Sequence, residues 1–465
     1  MKGGGCIAAA AIWRLMIHSY KLGGFNIIID AASGSVHRVD DVAYDAINAY
    51  ESEGEAGTRQ LIKEKYPDLP ESELTELFSG IAELKDNDRL FAPDRFSGAA
   101  ANQGEKTLKA LCLNVSHLCN MECSYCFAGR GGYGGDGELM TLETGVRAID
   151  FLVENSGGRK NLDIDFFGGE PLLNWAVVKD IVRYARKVEQ AGSKKFRFTL
   201  TTNGLLIDDD VISFANREIH NVVMSLDGRR EVNDASRRLP GGGGSYDEVS
   251  AKFRKLVEAR GGKNYYIRGT FTRNNLDFAS DILHMADMGF TELSMEPAVA
   301  DPGAPYGLRP EDLPALCGQY EELASEMLAR SKDGRGFTFY HFKLDLTGGP
   351  CIYKRIAGCG VGTEYLAVTP RGELYPCHQF VGNKEFMAGD LWRGITNTSL
   401  LDGFKDCGIY SKPGCAQCWA RLYCSGGCAA NAYRASGSID GVYELGCELF
   451  KKRIECAIMM KAALV

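Results

Sequence analysis

The stretch that decides the fold is Cys112-Leu-Asn-Val-Ser-His-Leu-Cys119-Asn-Met-Glu-Cys123-Ser-Tyr-Cys126-Phe-Ala128. Its first residues have a strand-like pattern, and the three cysteines that follow have a C-x3-C-x2-C spacing. Three thiolates in one loop can hold three irons of a cubane [4Fe–4S] cluster, because such clusters are bound through cysteine sulfur. A fourth cysteine is missing nearby, which would leave one iron open for another ligand. A zinc knuckle is the alternative, although zinc sites normally have four protein ligands.

Composition favours a soluble, globular protein with two or three domains. The chain has 465 residues, of which 45% are hydrophobic and 25% charged, and its net charge is −8. This charge gives no indication of nucleic acid or an anionic membrane as a partner. The 16 cysteines include tight C-x2-C clusters, which indicate metal ligation in a reducing compartment. Because the apolar runs are too short for a transmembrane helix, we expect a cytoplasmic protein.

Strand-like and helical patterns alternate through residues 107–335. Six such repeats predict an α/β fold in which helices connect the strands of a parallel sheet. Six units are too few for a closed eight-stranded barrel, and in barrels of this type the chemistry lies at the C-terminal ends of the strands. The strand-like runs are 111–116, 162–167, 196–202, 221–226, 265–272 and 291–296.

Chemically suggestive residues follow these strands. Gly168-Gly169-Glu170-Pro171 comes after the second strand, where glycines permit close backbone approach and carbonyls with a carboxylate suit an ammonium group. An ordinary turn is the alternative. Arg268 and Glu296 lie at later strand ends, and for them a structural ion pair is an equally good interpretation. The remaining candidates are Asn203, Ser225, Asp227 and Arg237.

Together, the cysteine loop and the strand-end motifs resemble the radical S-adenosylmethionine (SAM) superfamily. The resemblance implies a partial (β/α)6 TIM-type barrel and a catalytic cluster on Cys119, Cys123 and Cys126, whose open iron binds SAM. Asn233 stands where the family usually has histidine, whereas Arg237 keeps a guanidinium that would match the SAM carboxylate. The cofactor contacts that the resemblance implies are Tyr125, Phe127, Gly168, Gly169, Glu170, Asn203, Ser225, Asp227 and Arg237.

Residues 336–465 contain a second cysteine array with the pattern C-x12-G-x4-C … C-x2-C-x5-C-x3-C … C. It resembles the SPASM extension of peptide-modifying radical SAM enzymes, which carries two auxiliary [4Fe–4S] clusters. Structural zinc is the competing interpretation, and Cys407 is a rival ligand. The resemblance implies one cluster on Cys415, Cys418, Cys424 and Cys447. It implies another on Cys359, Cys377 and Cys428, completed by Cys351 or left with an open iron.

Residues 1–93 read as three strands, three helices and a last short strand at 90–91, followed by a linker at 94–106. This order resembles the winged-helix-like element that precedes many peptide-modifying enzymes. There the leader of a precursor peptide adds as a strand to an exposed sheet edge. A structural cap and a DNA-binding winged helix are the alternatives, and the lack of a basic recognition helix disfavours DNA.

Several stretches resemble the maturases of the SCIFF peptide and related ranthipeptides more closely. They include Arg268-Gly-Thr-Phe-Thr-Arg273 and Tyr375-Pro-Cys-His-Gln-Phe-Val-Gly382. Such an enzyme uses a 5′-deoxyadenosyl radical and an external one-electron reductant to join cysteine sulfur to carbon in a Cys-rich precursor peptide. The alternatives are another SPASM maturase, of the anaerobic sulfatase or carbon–carbon cross-linking type, and a non-catalytic iron–sulfur electron carrier.

Overall fold

The computed structural model describes residues 17–97, 106–300, 303–347 and 352–464. Its N-terminal region is a three-stranded antiparallel sheet followed by two helices. Successive side chains of a strand point to opposite faces, so Ile28 packs against the two helices while Ile27 and Ile29 join the main core of the protein. The sheet is therefore buried on both faces. The elements are β1 Ile17–Leu22, β2 Phe25–Asp30, β3 Val36–Val39, α1 Asp41–Lys65 and α2 Glu71–Asp86.

Two details of this region differ from the sequence prediction. The first two predicted helices are joined into α1, which is interrupted only at Gly54, where φ is +65°. Glycine adopts this conformation without a Cβ clash, so it allows the kink without ending the helix. The predicted strand at 90–91 is wrong. Leu90 and Phe91 are instead buried anchors, with the Phe91 ring stacked on Tyr50 at 5.2 Å.

The central region is an open, partial barrel, as the sequence predicted. All six predicted strands are present and parallel, and one further parallel strand joins the sheet at each end. The strands are β4 Ala110–Ser116, β5 Glu122–Cys123, β6 Asn161–Gly168, β7 Lys195–Thr202, β8 Asn221–Ser225, β9 Arg237–Arg238, β10 Tyr265–Phe271, β11 Glu292–Pro297, β12 Thr338–Phe339 and β13 Tyr365–Val368. The helices are α3 Leu142–Asn155, α4 Trp175–Ala191, α5 Asp209–Glu218, α6 Arg230–Ser236, α7 Tyr246–Arg260, α8 Phe278–Asp287 and α9 Leu313–Lys332.

Strand alternation places apolar side chains outside the barrel and polar ones inside. In β6, Leu162, Ile164 and Phe166 are fully buried in the core that also contains the surrounding helices. The intervening residues Asp163 and Asp165 point to the other face, which is the barrel interior. The barrel therefore has a polar interior at whose upper edge the candidate residues lie.

The C-terminal region continues the barrel sheet. Strand β13 pairs with β4 in parallel, and three short antiparallel strands extend the sheet beyond it. Because β12 and β13 belong to this sheet, it crosses the domain boundary proposed at 335–336. The elements are α10 Ile352–Ala357, β14 Glu373–Tyr375, β15 Gly389–Asp390, β16 Gly394–Ile395, α11 Thr398–Asp406, α12 Arg421–Cys424, α13 Ala429–Ser436 and α14 Glu444–Ala462. Within the described ranges, none of the helices is long and apolar enough to cross a membrane.

Candidate active site

The first three candidate cysteines lie together in the loop that follows β4. The Cys126 amide donates to the Cys123 carbonyl at 3.2 Å, which closes a tight turn between these two thiols. Burial, together with the charges of Glu170, Cys123 and Cys126, raises the pKa of Cys119 to about 11. The thiolate of Cys119 is therefore costly to form without a compensating cation, and ligation to iron would provide one.

The thiols do not converge on one point. Across the residues that the structure describes, no group of three or more His, Cys, Asp or Glu side chains is arranged around a single metal ion. A cubane cluster differs from such an ion, because each cysteine binds a different iron of the cube. The lack of a single-ion site is therefore compatible with a cluster on Cys119, Cys123 and Cys126.

Two glycines hold the cysteine loop against the end of β6. A Cβ on Gly168, where φ is +125°, would lie 2.2 Å from the Ser116 carbonyl oxygen, and one on Gly169 would lie 2.2 Å from that of Leu118. In turn, the amides of Gly169 and Glu170 donate to the same two carbonyls at 2.8 Å. Glycine is therefore required at both positions, because the backbones of the two segments are in direct contact.

Glu170 is fully buried beneath this contact. Its carboxylate accepts hydrogen bonds from the Thr202 hydroxyl at 2.8 Å, the Asn203 amide at 2.7 Å and the Leu172 amide at 3.0 Å. Burial raises its pKa to about 7 even though these bonds oppose the shift. Glu170 thus ties the end of β6 to the end of β7, and its contact with the amino group of SAM stays a prediction.

Asn203 joins this group from the end of β7. Its side-chain amide donates to Asn120 Oδ1 at 2.8 Å and lies 3.7 Å from Cys119 Sγ. Ser225 lies at the end of β8 and is in register with Arg268 on the next strand. The strand-end candidates therefore share one edge of the sheet with the cysteine loop, as parallel strands require.

Tyr125, Asp227 and Arg237 form a buried network beside the thiols. The Tyr125 hydroxyl donates to Asp227 Oδ2 at 2.6 Å and accepts from Arg237 Nη1 at 3.0 Å. Burial raises the pKa of Tyr125 well above its ordinary value, so the phenol keeps the proton that it donates. Strand β9 places Arg237 opposite Cys123 in an antiparallel pair.

One atom of this network points to a missing ligand. Arg237 Nε is buried and has no hydrogen-bond partner within the described part of the chain. A buried guanidinium donor without an acceptor is costly, and a carboxylate-bearing ligand would satisfy it. Together with the glycine contacts and the three thiols, this orphaned donor shows that the residues present fit a cluster with bound SAM. Asn233 does not share this role, since it accepts from the Asp227 amide and donates to Ser245.

The cysteines of the C-terminal array fall into two further sets. Burial raises the pKa of Cys377 to about 12, and its neighbouring thiols are Cys428 and Cys359. Burial also raises the pKa of Cys424 to about 12, and here the neighbouring thiols are Cys447, Cys415 and Cys418. The structure thus brings together Cys415, Cys418, Cys424 and Cys447 of the first implied set and Cys359, Cys377 and Cys428 of the second, whereas their role as cluster ligands stays a prediction.

Cys351 and Cys407 are not assigned to either of these two sets. Cys351 lies outside the described residues, so its proposed role as a ligand stays a prediction. The Cys407 thiol donates to the Ile439 carbonyl at 3.3 Å, and Asp440 and Lys412 are the ionisable groups beside it. The role of Cys407 as a rival ligand stays a prediction.

One family model matches the region that contains the first site. Residues 113–276, from β4 to the turn after β10, match the family model described as the radical SAM superfamily. These residues are a radical SAM domain. A domain of this kind uses a [4Fe–4S] cluster together with SAM, and the three-thiol loop lies inside the matched range.

Relatives of known activity resemble the chain outside this range as well. Radical SAM cyclopropyl synthase TigE of Paramaledivibacter caminithermalis is 23% identical over 375 residues, which cover 74% of this chain and 72% of TigE. The cysteine-type anaerobic sulfatase-maturating enzyme of Clostridium novyi is 24% identical over 381 residues, which cover 75% of this chain and 95% of that enzyme.

Solved structures share the fold. The structure of anSMEcpe with bound AdoMet matches with a TM-score of 0.62 at 20% identity and covers 76% of this chain and 97% of its own. Streptococcus suis SuiB bound to S-adenosylmethionine matches with a TM-score of 0.52 at 15% identity and covers 91% of this chain and 97% of its own. At these identities the likeness establishes the fold alone.

The structure adds residues that the sequence did not single out. His378, directly after Cys377, is half-buried, and desolvation lowers its pKa to about 4, so the ring is neutral at physiological pH. Its Nδ1 lies 3.3 Å from the Tyr365 hydroxyl, and its ring packs against Phe167 at 4.9 Å and Phe127 at 5.8 Å. The sequence signal was a histidine beside a candidate ligand, but its position against Cys126-Phe127 depends on the pairing of β13 with β4.

A cavity of about 230 Å³ is lined by Leu308, Arg434 and Tyr443, among others. The guanidinium of Arg434 lies 5.6 Å from the centre of the Phe127 ring, which is 39% exposed. The Glu296 carboxylate lies 3.3 Å from Arg453 and 3.2 Å from His341. These contacts favour the interpretation of Glu296 as part of a structural ion pair.

Proposed function

We propose that the protein is a radical SAM maturase that joins a cysteine sulfur to a carbon atom within a ribosomally made, Cys-rich precursor peptide. Such a cross-link removes two hydrogen atoms from the peptide, one from the thiol and one from the carbon. The proposal includes three [4Fe–4S] clusters, SAM and an external one-electron reductant.

The observation that carries this proposal is the separation of the thiols into three sets. Cys119, Cys123 and Cys126 lie at the end of β4, and the other two sets lie in the C-terminal region. A protein that only activated SAM would need the first set alone. Two further sets support auxiliary clusters, which are suited to binding a substrate thiolate and to accepting an electron.

The radical SAM site would work through its own residues as follows. Cys119, Cys123 and Cys126 would hold the cluster, and Arg237 Nε would meet the carboxylate of SAM. The bound cofactors supply a carbon-centred radical that removes a hydrogen atom from the peptide. Tyr125 and Asp227 hold Arg237 in place, and the glycine contacts at 168–169 fix the cysteine loop against the sheet.

The N-terminal sheet supports a peptide as the substrate. Strands β1 and β3 are its two edges, and an edge strand can pair with an extended peptide. Streptococcus suis SuiB, which has been solved bound to the precursor peptide SuiA, is similar in fold over 91% of this chain. The anSMEcpe likeness covers 76%. The SuiB match covers more of this chain than the anSMEcpe match does. This is consistent with an enzyme that has the N-terminal region in common with SuiB.

Maturation of a sulfatase-type cysteine is the second candidate. The relative from Clostridium novyi favours it, because 95% of that enzyme is covered by the alignment. The N-terminal residues of this chain, which form a separate sheet with its own helical layer, disfavour it. The two candidates share the radical SAM chemistry and differ in the product.

Anaerobic reconstitution tests the common part of the proposal. We expect about twelve iron atoms per chain, from three cubane clusters, and formation of 5′-deoxyadenosine when the reduced protein is mixed with SAM. Protein that binds about four irons and cleaves SAM would contradict the auxiliary clusters. Protein that binds the iron but does not cleave SAM would be an electron carrier.

The product test needs a substrate, for which the first place to look is a short Cys-rich peptide in the neighbouring reading frames. A thioether would appear as the loss of two hydrogen atoms in the mass spectrum, together with one cysteine that iodoacetamide no longer alkylates. A product in which the cysteine is oxidised without a link to a second residue would favour the sulfatase-type reaction. The variant Cys317→Ala, outside all three thiol sets, serves as the matched control for loss of a cysteine.

A further inference from the structure

The segment between Cys418 and Cys424 is enclosed by the N-terminal region. Four of its five residues, Trp419, Arg421, Leu422 and Tyr423, contact or pack against residues from the first 97 of the chain. The two flanking thiols belong to the set that also includes Cys415 and Cys447. One candidate cluster site is thus completed by a region more than 300 residues away in sequence.

Trp419 is held by β1. The His18 ring stacks on the Trp419 ring with a centroid separation of 3.9 Å and an interplanar angle of 2°. His18 Nε2 lies 2.9 Å from Glu455 Oε1, and the Tyr20 hydroxyl donates to the Glu455 backbone carbonyl at 2.9 Å. Because Glu455 lies on α14, which also carries Cys447, β1 touches both parts of the same thiol set.

Arg421 is held by the residues that follow α2. Its guanidinium lies 3.3 Å from Asp94, and the side chains of the pair are only 1% and 11% exposed. The Tyr410 hydroxyl also donates to Asp94, at 3.0 Å. Breaking a buried pair of this kind is strongly destabilising, because it leaves one charge without a partner.

Leu422 and Tyr423 complete the enclosure. Leu422 is buried in a small cluster with Ile356 and Ile409, and Phe96 packs against that cluster. The Tyr423 hydroxyl donates to the Gly34 carbonyl, in the turn between β2 and β3, at 3.5 Å. The N-terminal contacts therefore come from three separate places: β1, the β2–β3 turn and the segment at 94–96.

We propose that His18 and Asp94 are positioning residues for the cluster on Cys415, Cys418, Cys424 and Cys447, so that the N-terminal region sets the geometry and the environment of this auxiliary cluster. Two of its four thiols, Cys418 and Cys424, flank the enclosed segment, and hydrogen bonds and burial around such sulfurs tune the potential of an iron–sulfur cluster. A peptide that changes the N-terminal sheet would then change the cluster, and the cluster would change the affinity for the peptide by the same factor. This last consequence rests on the proposed function, whereas the positioning role does not.

The test compares two variants with matched controls. Asp94→Asn removes the charge that pairs with Arg421, and His18→Ala removes the ring stacked on Trp419. Asp88→Asn changes an exposed aspartate nearby, and Lys21→Ala changes an exposed residue of the same strand as His18. Hydrogen exchange of the segment 418–424 is measured on the full chain, both metal-free and reconstituted, with α5 as an internal reference.

In both variants we expect exchange in 418–424 to be at least about tenfold faster than in the native protein, because a buried contact has been lost. In the reconstituted variants, the midpoint potential and electron paramagnetic resonance signal of one cluster should change, while formation of 5′-deoxyadenosine stays within about twofold of native. The controls should leave exchange, potential and signal unchanged.

Exchange within about twofold of native in both variants, or unchanged spectra with full iron content, overturns the positioning role. Failure of the proposed function has a different signature, since a chain that binds about four irons can still show the faster exchange in its metal-free form. The reverse experiment uses Cys424→Ala and Cys359→Ala. Loss of the enclosed thiol should speed exchange in β1, and loss of Cys359 should not.

Discussion

The loop at 119–126 and the array at 359–447 contain the same ligand type, but they are held in different ways. The loop follows one strand, and its supports lie close to it in the central region: Gly168 and Glu170 at the end of β6, and Arg237 on β9, which pairs with the short strand β5 of the loop itself. The array gathers cysteines from several loops and from α14, and part of it is enclosed by the N-terminal region.

Because of this difference, we expect the two sites to differ in their sensitivity to substitutions elsewhere in the chain. The loop depends on the barrel core, which is the largest buried cluster of the protein. The array depends on contacts between regions that are distant in sequence, so its geometry can respond to events at the N-terminal sheet. We therefore expect substitutions in the loop to act on SAM cleavage and substitutions in the array to act on later steps.

The largest effect should follow Cys123→Ala. Loss of one of three thiols removes a ligand of the SAM-binding cluster, so formation of 5′-deoxyadenosine should fall by more than about a hundredfold, since even changes to residues that only orient ligands cost about 10–100-fold. Chromatography of the reaction products measures it. Cys317→Ala, a substitution on α9, should keep the native rate; activity of Cys123→Ala within about tenfold of native would contradict the role of the loop.

Gly169→Ala should have the next largest effect. The added Cβ would lie 2.2 Å from the Leu118 carbonyl oxygen, so the cysteine loop must move away from β6. A displacement of about 1 Å can cost about a hundredfold in rate, and we expect SAM cleavage to fall by about 10–100-fold. Gly158→Ala is the matched control, because a Cβ there meets nothing within 4 Å. Equal rates for the two variants would show that the close contact is not needed.

The sequence predicted the features of the loop and the barrel better than those of the C-terminal region. The six strands, the cysteine loop and the strand-end candidates were predicted because each depends on local pattern and on the rule that parallel strands end at one edge. The eighth parallel strand, β13, and the position of His378 against Phe127 were not, since they depend on a pairing between residues about 250 apart in sequence. The enclosure of Trp419 by His18 had no local signal at all.

Cys424→Ala should have a small effect on SAM cleavage and a large effect on iron content, which would separate the two regions. Removing this thiol should eliminate about four irons per chain while 5′-deoxyadenosine forms within about threefold of the native rate, because Gly168, Glu170 and Arg237, which hold the loop at 119–126, all lie in the central region. Iron analysis and product chromatography on one sample measure both quantities. A loss of SAM cleavage as large as that of Cys123→Ala would show that the two regions do not act separately.

The smallest effect concerns Asp165, which lies in the barrel interior between the two regions, near Cys112. Burial, with the neighbouring Asp163 carboxylate, raises the pKa of Asp165 to about 6 from 3.8. The protonated form is therefore favoured on folding, so the contribution of Asp165 to stability is fully present below about pH 3.8 and is lost as the pH rises through 6.

Asp165→Asn keeps the shape of the side chain and removes this pH dependence. Relative to the native chain, the free energy of unfolding of the variant should therefore rise by about 2–3 kcal/mol between pH 4 and pH 7. Urea denaturation of the metal-free chains at several pH values measures the difference, with the exposed Asp180→Asn as the control. A difference that stays constant with pH would mean that Asp165 is charged in the folded protein at pH 4. The barrel interior would then hold a carboxylate next to Cys112, and that thiol would be still harder to ionise than burial alone makes it.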